Sequence, residues 1–304
     1  MTGAGPVPPR GSGPAFFRRR GAVIACALLA LFLAALLFST WLIQRYATFP
    51  RPPARAWDPA ARAANGGEQV WLTVGATRVE AWFLPPRGGE GRTPLLIYAH
   101  GNAELIDMRA DEFAPLRAAG IGVLQVEYPG YGRSQGSPSE ESLTAALVAA
   151  YDWAAWGTDA NSRRIDTRRI IGQGRSLGGG AIAQLAARRP LAALVLESTF
   201  ENFDEVVMGY GVPRWLLINH FDTRAVLSHY PGPVLLLHGT DDRVFASAHA
   251  LALAAVARRA TVHLEPCGHN DCPRQWELVL SFLSKNGVCR KPEQEVTHEK
   301  ISVC

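Results

Sequence analysis

Residues 172–180 read Gly-Gln-Gly-Arg-Ser-Leu-Gly-Gly-Gly and set Ser176 between Gly174 and Gly178 in a G-x-S-x-G pattern. A serine hydroxyl is a weak nucleophile at neutral pH until an imidazole takes its proton, and the imidazole needs a carboxylate to fix its tautomer. Both partners occur downstream, in the order serine, acid, histidine. The apolar run Pro233-Val234-Leu235-Leu236-Leu237 leads into His238-Gly239-Thr240-Asp241-Asp242, which supplies the acid. The strand-like Ala260-Thr261-Val262-His263-Leu264-Glu265 precedes Pro266-Cys267-Gly268-His269, which supplies the base. The chemistry available to such a set is acyl transfer, with His269 as general base and then general acid.

The elements that must position these residues are legible around them. Arg169-Ile170-Ile171 reads as the end of a buried strand, and residues 178–185 read as the start of a helix with an apolar face. The chain then turns sharply at Ser176, and Gly174 and Gly178 fall where a Cβ would strike the neighbouring strand or helix. The acid falls beyond the carboxyl end of its strand, where active sites of open parallel sheets sit. Leu177 follows the nucleophile, so its backbone amide is placed to stabilise a tetrahedral oxyanion.

From residue 69 to residue 283 the sequence resembles an alpha/beta-hydrolase fold serine hydrolase. Tyr98-Ala99-His100-Gly101-Asn102-Ala103 resembles the family's His-Gly-x oxyanion motif, residues 127–134 (Glu-Tyr-Pro-Gly-Tyr-Gly-Arg-Ser) its next loop, and Leu237-His238-Gly239-x-x-Asp242 its acid loop. Within the family it is similar to small membrane-anchored hydrolases related to depalmitoylases, monoacylglycerol lipases and prolyl-oligopeptidase-like enzymes. The resemblance implies Asp242 rather than Asp241 as the acid and gives the second oxyanion amide to Asn102. It also allows a substitute acid after the preceding strand, which here is Glu197. The triad implied is Ser176, Asp242 and His269, with the Asn102 and Leu177 amides as oxyanion hole and no cofactor.

Other residues invite chemistry and have plainer readings. His238 ends an apolar strand, where a histidine bonded within the core is expected. His220, His229, His249, His263 and His298 lack motif context and read as surface or structural. Histidine and cysteine spacings match no zinc pattern, and Gly172-x-Gly174-x-x-Leu177 lacks the third glycine of a dinucleotide fingerprint, so neither a metal nor a nucleotide site is expected. Glu104 reads as a surface charge, although relatives that release N-terminal residues use an acid nearby to hold an amine.

Residues 21–43 contain no charge and are rich in Ala, Leu and Phe, a run long enough to cross a bilayer. A secretory signal would have a shorter apolar core and an A-x-A-like cleavage site, which Phe38-Ser39-Thr40-Trp41-Leu42 lacks, so a retained anchor is expected. Trp41 and Tyr46 suit an interfacial belt. The net charge of +4 owes much to Arg10, Arg18, Arg19, Arg20, Arg45, Arg51 and Arg55, so a membrane explains it better than nucleic acid. Arg18-Arg19-Arg20 before the run suggests a cytoplasmic N-terminus and an exported catalytic domain.

The expected organisation is a polar tail (1–20), a transmembrane anchor (21–43), a linker (44–68), a catalytic domain (69–285) and a loose C-terminal tail (286–304). Alternation of strand and helix patterns predicts an α/β fold with an opening antiparallel hairpin (69–74 and 77–83, around Gly75-Ala76), a mainly parallel sheet, helices on both faces, one of them near residues 104–119, and a short apolar cap. Cys267 and Cys272 bracket His269 and form either a small disulfide loop or a pair of thiols. Residues 198–230 crowd Phe200, Met208, Trp215 and other apolar side chains, which either line a cap over the nucleophile or bury an ordinary helix. The expected activity is hydrolysis of an ester or thioester of a lipid-like or acylated substrate through an acyl-enzyme. An aminopeptidase-like serine peptidase and a noncatalytic membrane-tethered module are the alternatives.

Overall fold

A computed structural model describes residues 5, 14–52, 66–88, 91–209 and 211–289. Most of the expected polar tail, residues 53–65 of the expected linker, Tyr210, and most of the expected C-terminal tail with Cys304 lie outside the described residues.

The first element is a single long helix, α1 (Pro14–Thr48). Its stretch Gly21–Leu42 has a mean hydropathy of 2.8, and none of it is buried among the described residues. This helix is long and apolar enough to cross a membrane. It runs on through residues 44–48, the first five of the expected linker, and the next residue, Phe49, is 1% exposed in the main core.

Eight strands form one sheet: β1 (Glu68–Val74), β2 (Thr77–Leu84), β3 (Thr93–Ala99), β4 (Gly122–Val126), β5 (Ile165–Arg175), β6 (Ala193–Glu197), β7 (Val234–Gly239) and β8 (Ala260–Glu265). Their order is β1-β2-β4-β3-β5-β6-β7-β8. The first two strands make the expected antiparallel hairpin, with Val74 opposite Thr77 and Gly75 at φ +57° in the turn. β2 also pairs antiparallel with β4, and all later pairings are parallel.

The inner strands β3, β4, β6 and β7 are largely apolar on both sides because both faces are covered. Along β3, Leu95, Ile97 and Ala99 enter one core cluster while Leu96 and Tyr98 enter the other, as the two-residue period of a strand requires. The helices that cover the faces include α3 (Glu140–Trp156), α4 (Leu177–Ala186), α7 (Ala248–Val256) and α8 (Trp276–Lys285). Helix α3 starts at a Ser139/Ser142 capping box.

One expected helix breaks up. Residues 104–119 form short 3₁₀ turns at Ile106–Met108 and Ala110–Phe113 and then the brief α2 (Ala114–Ala118). The Glu104 side chain is drawn back to the Gly101 amide and the loop follows it. Between β6 and β7 the cap consists of α5 (Phe203–Met208), a 3₁₀ turn at Arg214–Leu216 and α6 (Thr223–His229).

Candidate active site

Ser176 joins the end of β5 to the start of α4 with φ +54° and ψ −121°, a backbone region that a residue with a Cβ enters only under strain. Close packing enforces the turn. A Cβ on Gly174 would lie 2.2 Å from the Gly178 carbonyl oxygen, and one on Gly178 would lie 2.1 Å from the Ala99 carbonyl oxygen. The glycines therefore serve close approach, not a special φ. The Thr199 hydroxyl donates to the Ser176 carbonyl (2.8 Å) and fixes the turn from the neighbouring strand.

The downstream partners converge on Ser176. His269 Nε2 lies 3.0 Å from Ser176 Oγ, and His269 Nδ1 lies 2.7 Å from Asp242 Oδ2. A carboxylate only accepts, so Nδ1 carries the proton and Nε2 presents its lone pair to the serine hydroxyl. The other Asp242 oxygen, Oδ1, accepts from the Val244 and Phe245 amides at 2.8 and 2.9 Å. Phe245 packs edge-on against the His269 ring at 5.4 Å. Asp241 is exposed, and Glu197 is turned to Arg274 and Gln173. Cys267 and Cys272 are joined in a disulfide, closing a loop around His269.

Asn102 is held from three directions. Its side-chain amide donates to the Thr48 carbonyl (2.7 Å), and its Oδ1 accepts from the Tyr131 hydroxyl (3.1 Å) and the Ala103 amide (3.2 Å). Ala103, next in the chain, has φ +58°, in the left-handed region that favours glycine. The Leu177 amide opens α4, where the first amides of a helix lack intrahelical acceptors and carry the positive end of the dipole.

The buried His100 has Nε2 2.8 Å from Glu127 Oε1 and Nδ1 2.8 Å from the Gly101 carbonyl. Both partners accept, so both nitrogens are protonated and His100 is an imidazolium paired with Glu127. Burial opposes that charge, but Glu127 outweighs it and holds the His100 pKa above the usual histidine value. His238 is the opposite case: burial lowers its pKa, and its Nε2 donates to the Phe245 carbonyl (2.9 Å).

Sequence reasoning missed Arg175 and misread Glu104. Glu104 is no surface charge: it is 8% exposed, and Arg175, which is 7% exposed, meets it at 2.5 Å. Glu104 also accepts from Arg109 and from the Gly101 amide. Burial works against its ionisation, but Arg175 and then Arg109 hold its carboxyl below the ordinary value. The second arm of Arg175 donates to the His269 carbonyl (2.5 Å) and to Asn270 Oδ1 (2.8 Å). One guanidinium thus bridges the nucleophile, oxyanion and base loops. The signal was present in the sequence as a charged residue inside an otherwise apolar elbow.

Two cavities flank this arrangement. A polar one of about 260 Å³ lies behind the base loop, walled by Arg109, Arg175, Glu197 and Arg274. The other, about 480 Å³, opens at Ser176 and is lined by Thr48, Phe200, Phe203, Val206, Val212 and Val244 among others. That volume is ordinary for a small-molecule site. Of the expected substrate-binding residues, Phe200 lines this cavity. Met208 (47% exposed) and Trp215 (77% exposed) do not line it; they stand in solvent on the cap because their short elements are too small to bury both faces. Among the described residues, no group of three or more His, Cys, Asp or Glu could hold a metal ion.

A mostly parallel eight-stranded sheet with a serine at a tight strand-to-helix turn is the architecture of an alpha/beta hydrolase. No family profile matches the chain. It is 33% identical over 264 residues to an uncharacterised Mycobacterium tuberculosis protein, covering 84% of this chain and 90% of that one. It is 31% identical over 233 residues to alpha/beta hydrolase domain-containing protein 17C of Xenopus laevis, covering 75% and 71% respectively. A Pyrococcus furiosus esterase has the same fold, with a TM-score of 0.61 at 17% identity over 78% of this chain and 97% of that one. So does a Pyrococcus horikoshii acylaminoacyl peptidase, with a TM-score of 0.60 at 13% identity over 75% and 42%. The chain belongs to the alpha/beta-hydrolase fold family.

Proposed function

We propose that this protein is a serine hydrolase that cleaves an ester or thioester of a lipid-like or acylated substrate through an acyl-enzyme. The observation that carries the reading is the Ser176–His269–Asp242 relay, at 3.0 and 2.7 Å, opening into an apolar cavity.

Ser176 Oγ attacks the carbonyl carbon as His269 Nε2 takes its proton, and Asp242 orients the ring and stabilises the imidazolium. The carbonyl oxygen becomes an oxyanion facing the Asn102 and Leu177 amides. His269 then protonates the departing alcohol or thiol, which leaves Ser176 acylated. Water enters, loses a proton to His269 and attacks the acyl carbon; the tetrahedral intermediate collapses to a carboxylic acid and regenerated serine. The cavity wall of Phe200, Phe203, Val206 and Val212 favours an acyl chain over a charged group.

The aminopeptidase reading needs a free acid to hold a substrate's amine. Glu104 is committed to Arg175 and Arg109, which argues against that reading. A noncatalytic module has no need of a complete proton relay. Helix α1 serves as a single-pass anchor in this reading, and the arginine triplet before it supports an exported catalytic domain.

The test is labelling of the detergent-solubilised protein with a fluorophosphonate, with the modified residue mapped by mass spectrometry. Labelling confined to Ser176 and lost in Ser176→Ala is expected. A folded wild-type protein that stays unlabelled would overturn the reading.

A further inference from the structure

The anchor and the apolar cavity meet. Thr48, the last residue of α1, lines the cavity that opens at Ser176, and its carbonyl accepts from the Asn102 side chain at 2.7 Å. Phe49 is then buried in the main core. The helix therefore enters the catalytic domain at the lip of the cavity, with no slack between them.

Leu42 ends the membrane-length stretch, and Thr48 follows six helical residues later. At 1.5 Å per residue that is about 9 Å of helix. The polar layer on each side of a bilayer is about 5–8 Å deep. The cavity lip is thus held at the outer edge of the headgroups of the leaflet that α1 leaves.

The cap beside that lip is apolar where it faces outward. Met208, Trp215 and Ile218 are 47%, 77% and 45% exposed, while Val206, Val207 and Val212 of the same cap line the cavity with Thr48, and Val244 of the acid loop, 58% exposed, stands in that lining. Exposed apolar side chains on a segment that also walls a cavity point to a binding surface. The charged residues of the cap, the acid loop and the end of α1 make no positive patch, with Arg51, Arg214, Arg224 and Arg243 against Asp204, Glu205, Asp222, Asp241 and Asp242. Net charge supplies no attraction, so burial of apolar surface must carry the contact.

We infer that the cap rim around Met208, Trp215 and Ile218 docks onto the lipid leaflet from which α1 emerges, so that the cavity receives the acyl chain of a bilayer-resident ester directly from that leaflet. The substrate half of this inference rests on the esterase reading; the docking half does not. Trp215 is the interfacial residue of the rim, with an amphipathic ring suited to headgroup depth.

The test uses the full chain in zwitterionic phosphatidylcholine nanodiscs. With phosphatidylcholine brominated near the headgroup end of its acyl chains, the wild-type protein is expected to lose a share of its tryptophan emission that Trp215→Phe does not lose. Equal quenching of the two proteins overturns the docking. In parallel, Ile218→Glu is compared with wild type on a long-chain ester embedded in the disc and on a water-soluble short-chain ester. The expected result is at least a fivefold loss of kcat/KM on the embedded ester, with the soluble ester within about twofold. Parallel changes on both substrates overturn delivery from the leaflet. Failure to turn over either ester, with Ser176 unlabelled, overturns the esterase reading, and the quenching result still decides the docking.

Discussion

Two adjacent aspartates, Asp241 and Asp242, differ in what their side chains touch. Asp242 accepts from His269 and from two backbone amides, whereas Asp241 is exposed with a Thr240 contact at 3.5 Å. Asp242→Asn would offer His269 Nδ1 an amide that can turn its donor toward the ring and favour the wrong tautomer. A fall in kcat of about 10³- to 10⁴-fold is expected, with Asp241→Asn within about twofold of wild type. Steady-state hydrolysis of a short-chain ester measures both, and equal losses would undo the assignment. Arg175 belongs to the same scale. Replacing it with Met leaves Glu104 paired with Arg109 but frees the His269 carbonyl and Asn270. Small misplacement of a reacting group costs about 100-fold. Arg175→Met is therefore expected to lower kcat by about 10- to 100-fold with KM little changed, and to slow fluorophosphonate labelling of the folded protein. A loss confined to thermal stability would reduce Arg175 to a structural role.

At the scale of elements, the sequence made the site legible where chemistry and steric need coincide. Ser176, Asp242 and His269 sit in short motifs that follow apolar strands, and Gly174 and Gly178 have no alternative residue at contacts of 2.2 and 2.1 Å. The helix expected over residues 104–119 was misread because its first turn answers to Arg175, seventy-one positions away, and not to local propensity. That Met208 and Trp215 face outward was not legible either. An apolar residue in a short cap can line the cavity or face outward, and composition does not distinguish the two. The His100–Glu127 pair that fastens the oxyanion strand end to the next loop was also hidden, since a histidine beside glycine carries no sign of its protonation. That pair predicts a pH dependence. The folded-state pKa of His100 is raised above the unfolded value of about 6.5. Its stabilising contribution is therefore complete below about pH 6.5 and is lost as pH rises through the folded value. Each unit of separation is a tenfold factor in the folding equilibrium. Denaturant titrations across pH 5.5 to 9 should show wild type losing its advantage over Glu127→Gln as pH rises, and a constant difference would contradict the charged pair.

At the scale of the whole molecule, two independent features bear on which side of a membrane the catalytic domain occupies. Arg18-Arg19-Arg20 precede the apolar stretch of α1 and lie on the cytoplasmic side in the proposed orientation. The Cys267–Cys272 disulfide closes the loop that carries His269, and such a bond persists only where the surroundings are oxidising. If the domain faced the cytoplasm, glutathione and thioredoxin would keep both thiols reduced. The disulfide therefore makes the proposed orientation chemically testable, because Cys26 and Cys289 are free thiols and, among the described residues, the bonded pair alone needs a reductant before it can be alkylated. In membranes quenched with acid and alkylated under denaturing conditions, Cys267 and Cys272 are expected to resist alkylation until a reductant is added. Protease added to the exported face should release the catalytic domain, and should spare it if the domain is cytoplasmic. Removing the bond also relaxes a short loop, for which chain entropy predicts a loss of about 2 kcal/mol. Reductant should accordingly lower the denaturation midpoint of wild type but not of Cys267→Ser/Cys272→Ser. Free thiols in native membranes, together with a protected domain, would reverse the orientation and leave the base loop held by Arg175 alone of the two constraints.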